Sequence, residues 1–219
     1  MPDAKARLLI VDDEPSIRTS LSCVLAEIGY RVDTAGDGFA ALGEMRRQVP
    51  EILLSDLNMP GMSGFELLSV VRRRFPAIQT VAMSGAFTGE EVPSGVAADA
   101  FYQKGSSVGS LLRILETLPW PERMTGKQAS AGAPIRVQVN RHEDSGEAQV
   151  TIACPECLRT YSQNLDGTVR PMLETACIHC HASIHCAIVE PAEPASLLSY
   201  QLRQTFPAPA GQALQRLTN

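Results

Sequence analysis

The stretch that decides the fold is Leu53-Leu54-Ser55-Asp56-Leu57-Asn58-Met59-Pro60-Gly61-Met62-Ser63-Gly64. The apolar run Ile52 to Leu54 reads as a buried strand, and it ends on a carboxylate followed by a Pro/Gly turn. Asp56 therefore falls at the carboxyl end of a strand, where open α/β sheets keep their ligand crevice. A carboxylate there can ligate a metal, act as a base, or accept a phosphoryl group as a nucleophile. It can also do no more than start a turn.

The flanking chain separates these readings. Leu8-Leu9-Ile10-Val11 is a second continuous apolar run, as expected of a parallel strand buried on both faces. It ends in Asp12-Asp13-Glu14-Pro15, where the acidic residues and the proline suit a helix start. Ile17, Leu21, Val24, Leu25 and Ile28 follow with helical period, and Gly29 stops the helix. Further strands are predicted at Arg31 to Ala35, Thr80 to Met83 and Ala100 to Tyr102, with helices over Gly38 to Gln48, Phe65 to Phe75 and Val108 to Leu118. Five strands alternating with helices predict an α/β fold with a five-stranded, doubly wound parallel sheet. In the flavodoxin-like order 2-1-3-4-5, Asp12, Asp13 and Asp56 converge at the switch point. Ser84 and Lys104 end the fourth and fifth strands at the same edge. Three clustered anions need a cation, and hard oxygen ligands suit Mg²⁺. Ser84 can bond a phosphoryl oxygen and Lys104 can neutralise another.

These residues resemble the receiver domain of two-component response regulators. The resemblance is carried by Val11-Asp12-Asp13-Glu14, Asp56 to Gly64, Met83-Ser84-Gly85 and Ala98 to Lys104, and it covers residues 6 to about 118. It implies that Asp56 is the phospho-acceptor, loaded from a histidine kinase or a phosphotransfer protein. It implies Mg²⁺ ligation by Asp13, Asp56 and the Asn58 backbone carbonyl, with Asp12 helping through water. Ser84 and Phe101 would form the switch pair, and Gly85 would leave room for the phosphoryl group. No enzymatic activity is implied beyond self-phosphorylation from a phosphodonor and autodephosphorylation. A phosphatase using an aspartyl nucleophile would carry a second Asp two residues on, where this chain has Asn58.

Two departures stand out. Gly105 replaces the proline that usually follows the lysine and shapes its loop, which leaves open a degenerate receiver acting as a scaffold. The segment Ala86 to Ala97 contains Thr88-Gly89 and Pro93-Ser94-Gly95, so a short or irregular element is expected there.

The chain of 219 residues has room for one domain and a smaller second one. Its boundaries are expected at 1–118 for the receiver, 119–134 for a Pro/Gly/Ala/Ser-rich linker, 135–190 for the second module and 191–219 for a tail, partly helical or disordered. Net charge is −5 overall, −4 over residues 1–118 and −2 over residues 134–219, so neither part has the basic excess of a nucleic-acid binder. Arg46-Arg47 and Arg72-Arg73-Arg74 fall late in predicted helices and read as solvated helix ends. Residues 1–7 lack the apolar region of a secretory leader and no apolar run reaches membrane length. A cytoplasmic protein is expected.

In the second module Ile135 to Val139 and Val150 to Ile152 alternate as a hairpin would, with Arg141 to Glu147 as its turn. The second strand runs into Cys154-Pro155-Glu156-Cys157, and Cys177-Ile178-His179-Cys180 follows. Paired Cys-x₂-Cys knuckles at this spacing predict a four-thiolate Zn²⁺ site, and residues 148–190 resemble a zinc ribbon. His179, His181 or His185 could replace one thiolate, and Cys177 to His181 also matches the c-type haem attachment pattern, which requires export. Cys23 and Cys186 lie outside the knuckles and are expected to be buried thiols. A closed, acidic Cys₄ module favours contact with a downstream protein over catalysis or DNA reading, the latter being the alternative.

Overall fold

The computed structural model describes residues 5–86, 96–118, 134–141, 148–165 and 171–189. The irregular element expected within Ala86 to Ala97 falls almost wholly outside them, as do the linker up to residue 133, the turn at 142–147 and the tail at 191–219.

Strands β1 (Arg7–Val11), β2 (Arg31–Ala35), β3 (Ile52–Asp56), β4 (Gln79–Ser84) and β5 (Ala100–Gln103) form a parallel sheet in the order β2-β1-β3-β4-β5. Every residue of β3 and β4 is buried, which is why both read as unbroken runs rather than alternating ones. The pleat sorts their side chains. Leu9, Val11, Leu53 and Ala82 pack toward α2 (Gly38–Arg47) and α3 (Gly64–Arg74). Leu8, Ile10, Leu54 and Val81 pack toward α1 (Pro15–Glu27) and α4 (Val108–Thr117).

Cys23 is a correction. It is exposed, not core-facing, because α1 buries Leu21 and Leu25 and a residue midway between them points about 200° away. Cys186 is buried as expected.

Helix α3 starts against β3. Ser63 and Glu66 close a capping box, with Ser63 Oγ accepting from Glu66 N and the Glu66 carboxylate accepting from Ser63 N. A Cβ at Gly64 would lie 1.9 Å from the carbonyl oxygen of Asp56, so only glycine lets the helix approach this closely.

The second sheet has five strands, β6 (Ile135–Arg141), β7 (Ala148–Ala153), β8 (Thr160–Leu165), β9 (Met172–Ala176) and β10 (Ser183–Val189), in the order β8-β7-β6-β10-β9. β6 and β10 run parallel and the other pairs are antiparallel. Thr175 Oγ1 donates to Gln163 Oε1 and the Tyr161 hydroxyl to the Ala176 carbonyl, so the two edge strands are bridged by side chains. This sheet shares a core with the first: Ile135, Val137 and Val139 belong to one buried cluster with Leu67, Val70 and Val71 of α3. A module this small gains its hydrophobic support from the neighbouring helix.

Arg72 of α3 is not merely part of a solvated helix end, whereas Arg74 is exposed as expected. Arg72 pairs with Asp99 at 3.0 Å and bonds Thr80 Oγ1, and Arg74 reaches Glu156 of the second module at 4.0 Å. Tertiary partners of Arg72 in β4 and just before β5, invisible in the local pattern, account for the difference.

Replacing Gly64 with Ala is expected to destabilise the chain by about 3 kcal/mol, since backbone rather than a mobile side chain opposes the new methyl group. A guanidinium melt with an unchanged midpoint would contradict the packing described.

Candidate functional site

The carboxyl end of the first sheet brings the predicted residues together. Asp12 follows β1 directly, Asp56 ends β3 and Ser84 ends β4, while Lys104 follows β5. Oxygens of Asp12, Asp13 and Asp56 lie within 4.8 Å of one another; Asp12 and Asp56 are buried and Asp13 is exposed. Lys104 Nζ sits 2.7 Å from Asp56 Oδ2 and 2.7 Å from Asp12 Oδ2. One ammonium thus faces two buried carboxylates, with a third at the mouth.

The pattern of bonds shows what each group is held for. Asp12 Oδ1 accepts from Glu14 N, whereas its Oδ2 has only the lysine beside it. Asp56 Oδ1 accepts from Asn58 N at 3.2 Å. Ser84 is fully buried, and its hydroxyl accepts from Ala86 N at 3.1 Å and from Asn58 Nδ2 at 3.4 Å. The side-chain link from Asn58, after β3, to Ser84, at the end of β4, is a feature that sequence reading missed, because it joins residues 26 positions apart. Arg18 of α1, which donates to the Asp12 carbonyl, was missed as well. Phe101 is 1% exposed and packs on the α2/α3 side of the sheet.

Gly105 answers the question of the missing proline. All peptide bonds are trans among the described residues, and Gly105 takes φ +89°, a left-handed conformation that glycine enters without steric cost. Lys104 is seated by its own N–H, which donates to the Ser84 carbonyl at 2.9 Å.

Burial pushes the Asp56 carboxyl above its ordinary range, and the bond and charge of Lys104 offset only part of this. Burial pulls the Lys104 ammonium down, but the two carboxylates outweigh it and hold it above the usual lysine value. Three carboxylates against one ammonium leave the site with a formal charge of −2. A buried carboxylate oxygen with an unmet lone pair, hard oxygen donors and this charge suit a divalent cation such as Mg²⁺.

A second constellation lies in the β-rich module. Cys154, Cys157, Cys177 and Cys180 have their sulfurs within 4.8 Å of one another, and no histidine joins them among the described residues. Cys154 Sγ is 3.7 Å from Cys180 Sγ, and Cys157 Sγ is 3.7 Å from Cys177 Sγ. That is far beyond a disulfide bond but matches the edge of a tetrahedron with Zn–S bonds of about 2.3 Å. The two knuckles are built alike. Leu158 N bonds the Cys154 carbonyl and His181 N the Cys177 carbonyl, while Cys154 N and Cys177 N bond the carbonyls of Arg159 and Ala182. Leu158 and His181, each one residue past a knuckle's second cysteine, take φ of 55° and 61°. His181 therefore occupies a turn position that the backbone requires. His179 Nε2 faces the Thr160 carbonyl and His185 faces Glu174, so neither replaces a thiolate. Burial opposes ionisation of Cys177, but N–H groups of His179 and Cys180 aimed at its sulfur lower it to about 6.

The shift on Asp56 has a sign that can be tested. Its folded-state pKa is raised, so its contribution to stability is largest below the ordinary carboxylate pKa and is lost as pH rises through the folded value. Asp56→Asn should therefore be more stable than wild type at pH 7, by about 1 kcal/mol, because Lys104 keeps Asp12 as a partner. The margin should shrink as pH falls toward 3 in parallel denaturant melts; a margin independent of pH would contradict this assignment.

Comparison with known proteins agrees with the geometry. Residues 8–111 match the family model described as response regulator receiver domain. Residue identity is 31% over 113 residues with the probable transcriptional regulatory protein TcrX of Mycobacterium tuberculosis, covering 51% of this chain and 48% of TcrX. The chain thus spans about half the length of that relative. Among solved structures, the chemotaxis response regulator CheY4 of Vibrio cholerae is 32% identical with a TM-score of 0.48, the match covering 52% of this chain and 98% of CheY4. The response regulator TrrA of Thermotoga maritima, solved in complex with the histidine kinase ThkA, is 30% identical with a TM-score of 0.47, the match covering 51% of this chain and 97% of TrrA. No helix among the described residues is long and apolar enough to cross a membrane. The family model matched over residues 8–111 is that of the response regulator receiver domain, and the acidic, lysine-closed site at the ends of the strands lies within those residues.

Proposed function

We propose that the chain is a phosphorylation-dependent switch in which Asp56 accepts a phosphoryl group from the phosphohistidine of a histidine kinase or phosphotransfer protein. The observation that carries this reading is the buried Asp56 carboxylate held by Lys104 at 2.7 Å inside a three-carboxylate cluster. In the transfer, the donor's P–N bond breaks with its electron pair returning to the imidazole, and an Asp56 oxygen forms the new P–O bond. Asp13, Asp56 and the Asn58 backbone carbonyl would hold Mg²⁺, with Asp12 assisting through water, and the ion would supply positive charge to the phosphoryl oxygens. Lys104 gives up its contact with Asp56 Oδ2 to meet the added charge. Ser84 already accepts two bonds and carries a hydroxyl proton that it can donate to a phosphoryl oxygen. Movement of Ser84 then alters the space against which Phe101 packs, which would make the two the switch pair.

The cysteine cage supports a structural Zn²⁺ site, coordinatively closed by Cys154, Cys157, Cys177 and Cys180. It would hold the two knuckles together in a module that has little core of its own. The acidic charge of residues 134–219, made more negative by four thiolates on one Zn²⁺, supports contact with a downstream protein rather than with nucleic acid.

Intact mass after incubation with acetyl phosphate and Mg²⁺ should show one phosphoryl adduct on wild type and none on Asp56→Asn. An absence of adduct and of Mg²⁺ binding on folded wild type would sink the switch and leave a scaffold that has lost its chemistry. Native mass spectrometry should find one zinc per chain, lost in Cys177→Ser together with amide protection in β7 to β10. Retention of that protection without metal would remove zinc from the account of the fold.

A further inference from the structure

The contact between α3 and the second module is unusual in its chemistry. Two backbone N–H groups of β6 are bonded not to a strand but to side chains of α3. Gln138 N donates to Glu66 Oε1 at 2.9 Å and Arg136 N to Ser69 Oγ at 3.0 Å. Glu66 and Ser69 are one helical turn apart, so α3 offers acceptors along one face where a neighbouring strand would otherwise offer carbonyls. The Arg74 to Glu156 pair extends the contact to the first cysteine knuckle.

Glu66 is the unusual member. It is a buried carboxylate, 5% exposed, and no cation bonds it among the described residues. Its charge is answered by three donors: Ser63 N and Ser63 Oγ on Oε2, each at 2.9 Å, and Gln138 N on Oε1. Two of these donors belong to Ser63, the last residue of the loop that begins at Asp56. The two ends of that loop meet: Gly64 N, next to Ser63, bonds the Leu57 carbonyl at 3.1 Å, and the Gly64 backbone lies against the Asp56 carbonyl. Met62 is wedged onto Gly38, where even a Cβ would come within 2.8 Å, so the loop has little room to absorb a displacement by itself.

We propose that Glu66 is an interdomain latch: one carboxylate closes the capping box at the end of the acceptor loop and anchors strand β6, so that the state of Asp56 is coupled to the seating of the second module. The coupling rests on the reading of Asp56 as phospho-acceptor, whereas the anchoring does not. Any displacement of the loop at Ser63 changes two of the three bonds that satisfy a buried charge, and the third bond is the anchor of β6. The second module is then read out by loosening or tightening on α3.

The test uses the full chain and amide hydrogen exchange resolved by residue. Glu66→Gln is the informative variant. Its carbonyl oxygen can still accept from Ser63, which keeps the helix start, but its amide nitrogen then turns a donor toward the Gln138 N–H. The Gln138 amide is expected to exchange at least tenfold faster in Glu66→Gln than in wild type, with amides of Leu53 and Val81 unchanged as proof of a folded receiver. Equal Gln138 exchange in the two proteins, with the receiver folded, overturns the latch. With acetyl phosphate and Mg²⁺, the Arg136 and Gln138 amides of wild type should change by at least tenfold, and those of Asp56→Asn should not. Intact mass on the same samples separates the outcomes. A phosphoryl adduct with unaltered Arg136 and Gln138 overturns the coupling. Absence of any adduct overturns the acceptor reading and the coupling with it, while the anchoring is decided by the first comparison.

Discussion

At the carboxyl end of the first sheet three carboxylates share one ammonium, and the second of them, Asp56, is nearly without solvent. Buried anions at this spacing repel one another, so the arrangement persists only because Lys104 divides itself between Asp12 and Asp56 and because the site remains open to further positive charge. The rest of the first domain follows from keeping those groups in place. Strands β3 and β4 are buried throughout, α3 begins against the Asp56 carbonyl by way of Gly64, and the Lys104 N–H is tied to the Ser84 carbonyl.

Helix α3 then carries the second requirement. It is buried toward the parallel sheet through Leu67, Leu68 and Val71, and its Glu66 and Ser69 bond the second module. Part of the contact with the second module is made by polar groups of α3, which a hydrophobic period does not register, so its second partner could not be read from periodicity. Seen with its neighbours, the buried Glu66 is neither an error of patterning nor a surface charge. It is a carboxylate fully supplied with donors, one of them a strand that sequence places 72 residues away.

Much of the candidate site was legible from the chain alone. Asp12, Asp13, Asp56, Ser84 and Lys104 could be placed because each follows an apolar run, and strand ends on one edge of a parallel sheet must meet. The four cysteines were legible because a two-residue spacer lets two sulfurs of one turn face a single point. Cys23 was misplaced, since two residues on α1 rotate a side chain by about 200°, slightly more than half a turn from the buried Leu21 and Leu25. Arg72 was read as solvated because the partner that holds it, Asp99, comes from another element.

Local sequence determined what depends on neighbours along the chain: the strands and helices, the capping box at Ser63 and Glu66, the turn chemistry of the knuckles and the identity of the ionisable groups. Tertiary structure alone decided what depends on distance through space. It set the direction of each pKa shift, the pairing of Asn58 with Ser84, the exclusion of His179, His181 and His185 from the cysteine cage and the seating of β6 on α3. The physical reason is that backbone preference acts over a few residues, whereas burial and charge are set by whatever the fold brings within a few ångströms.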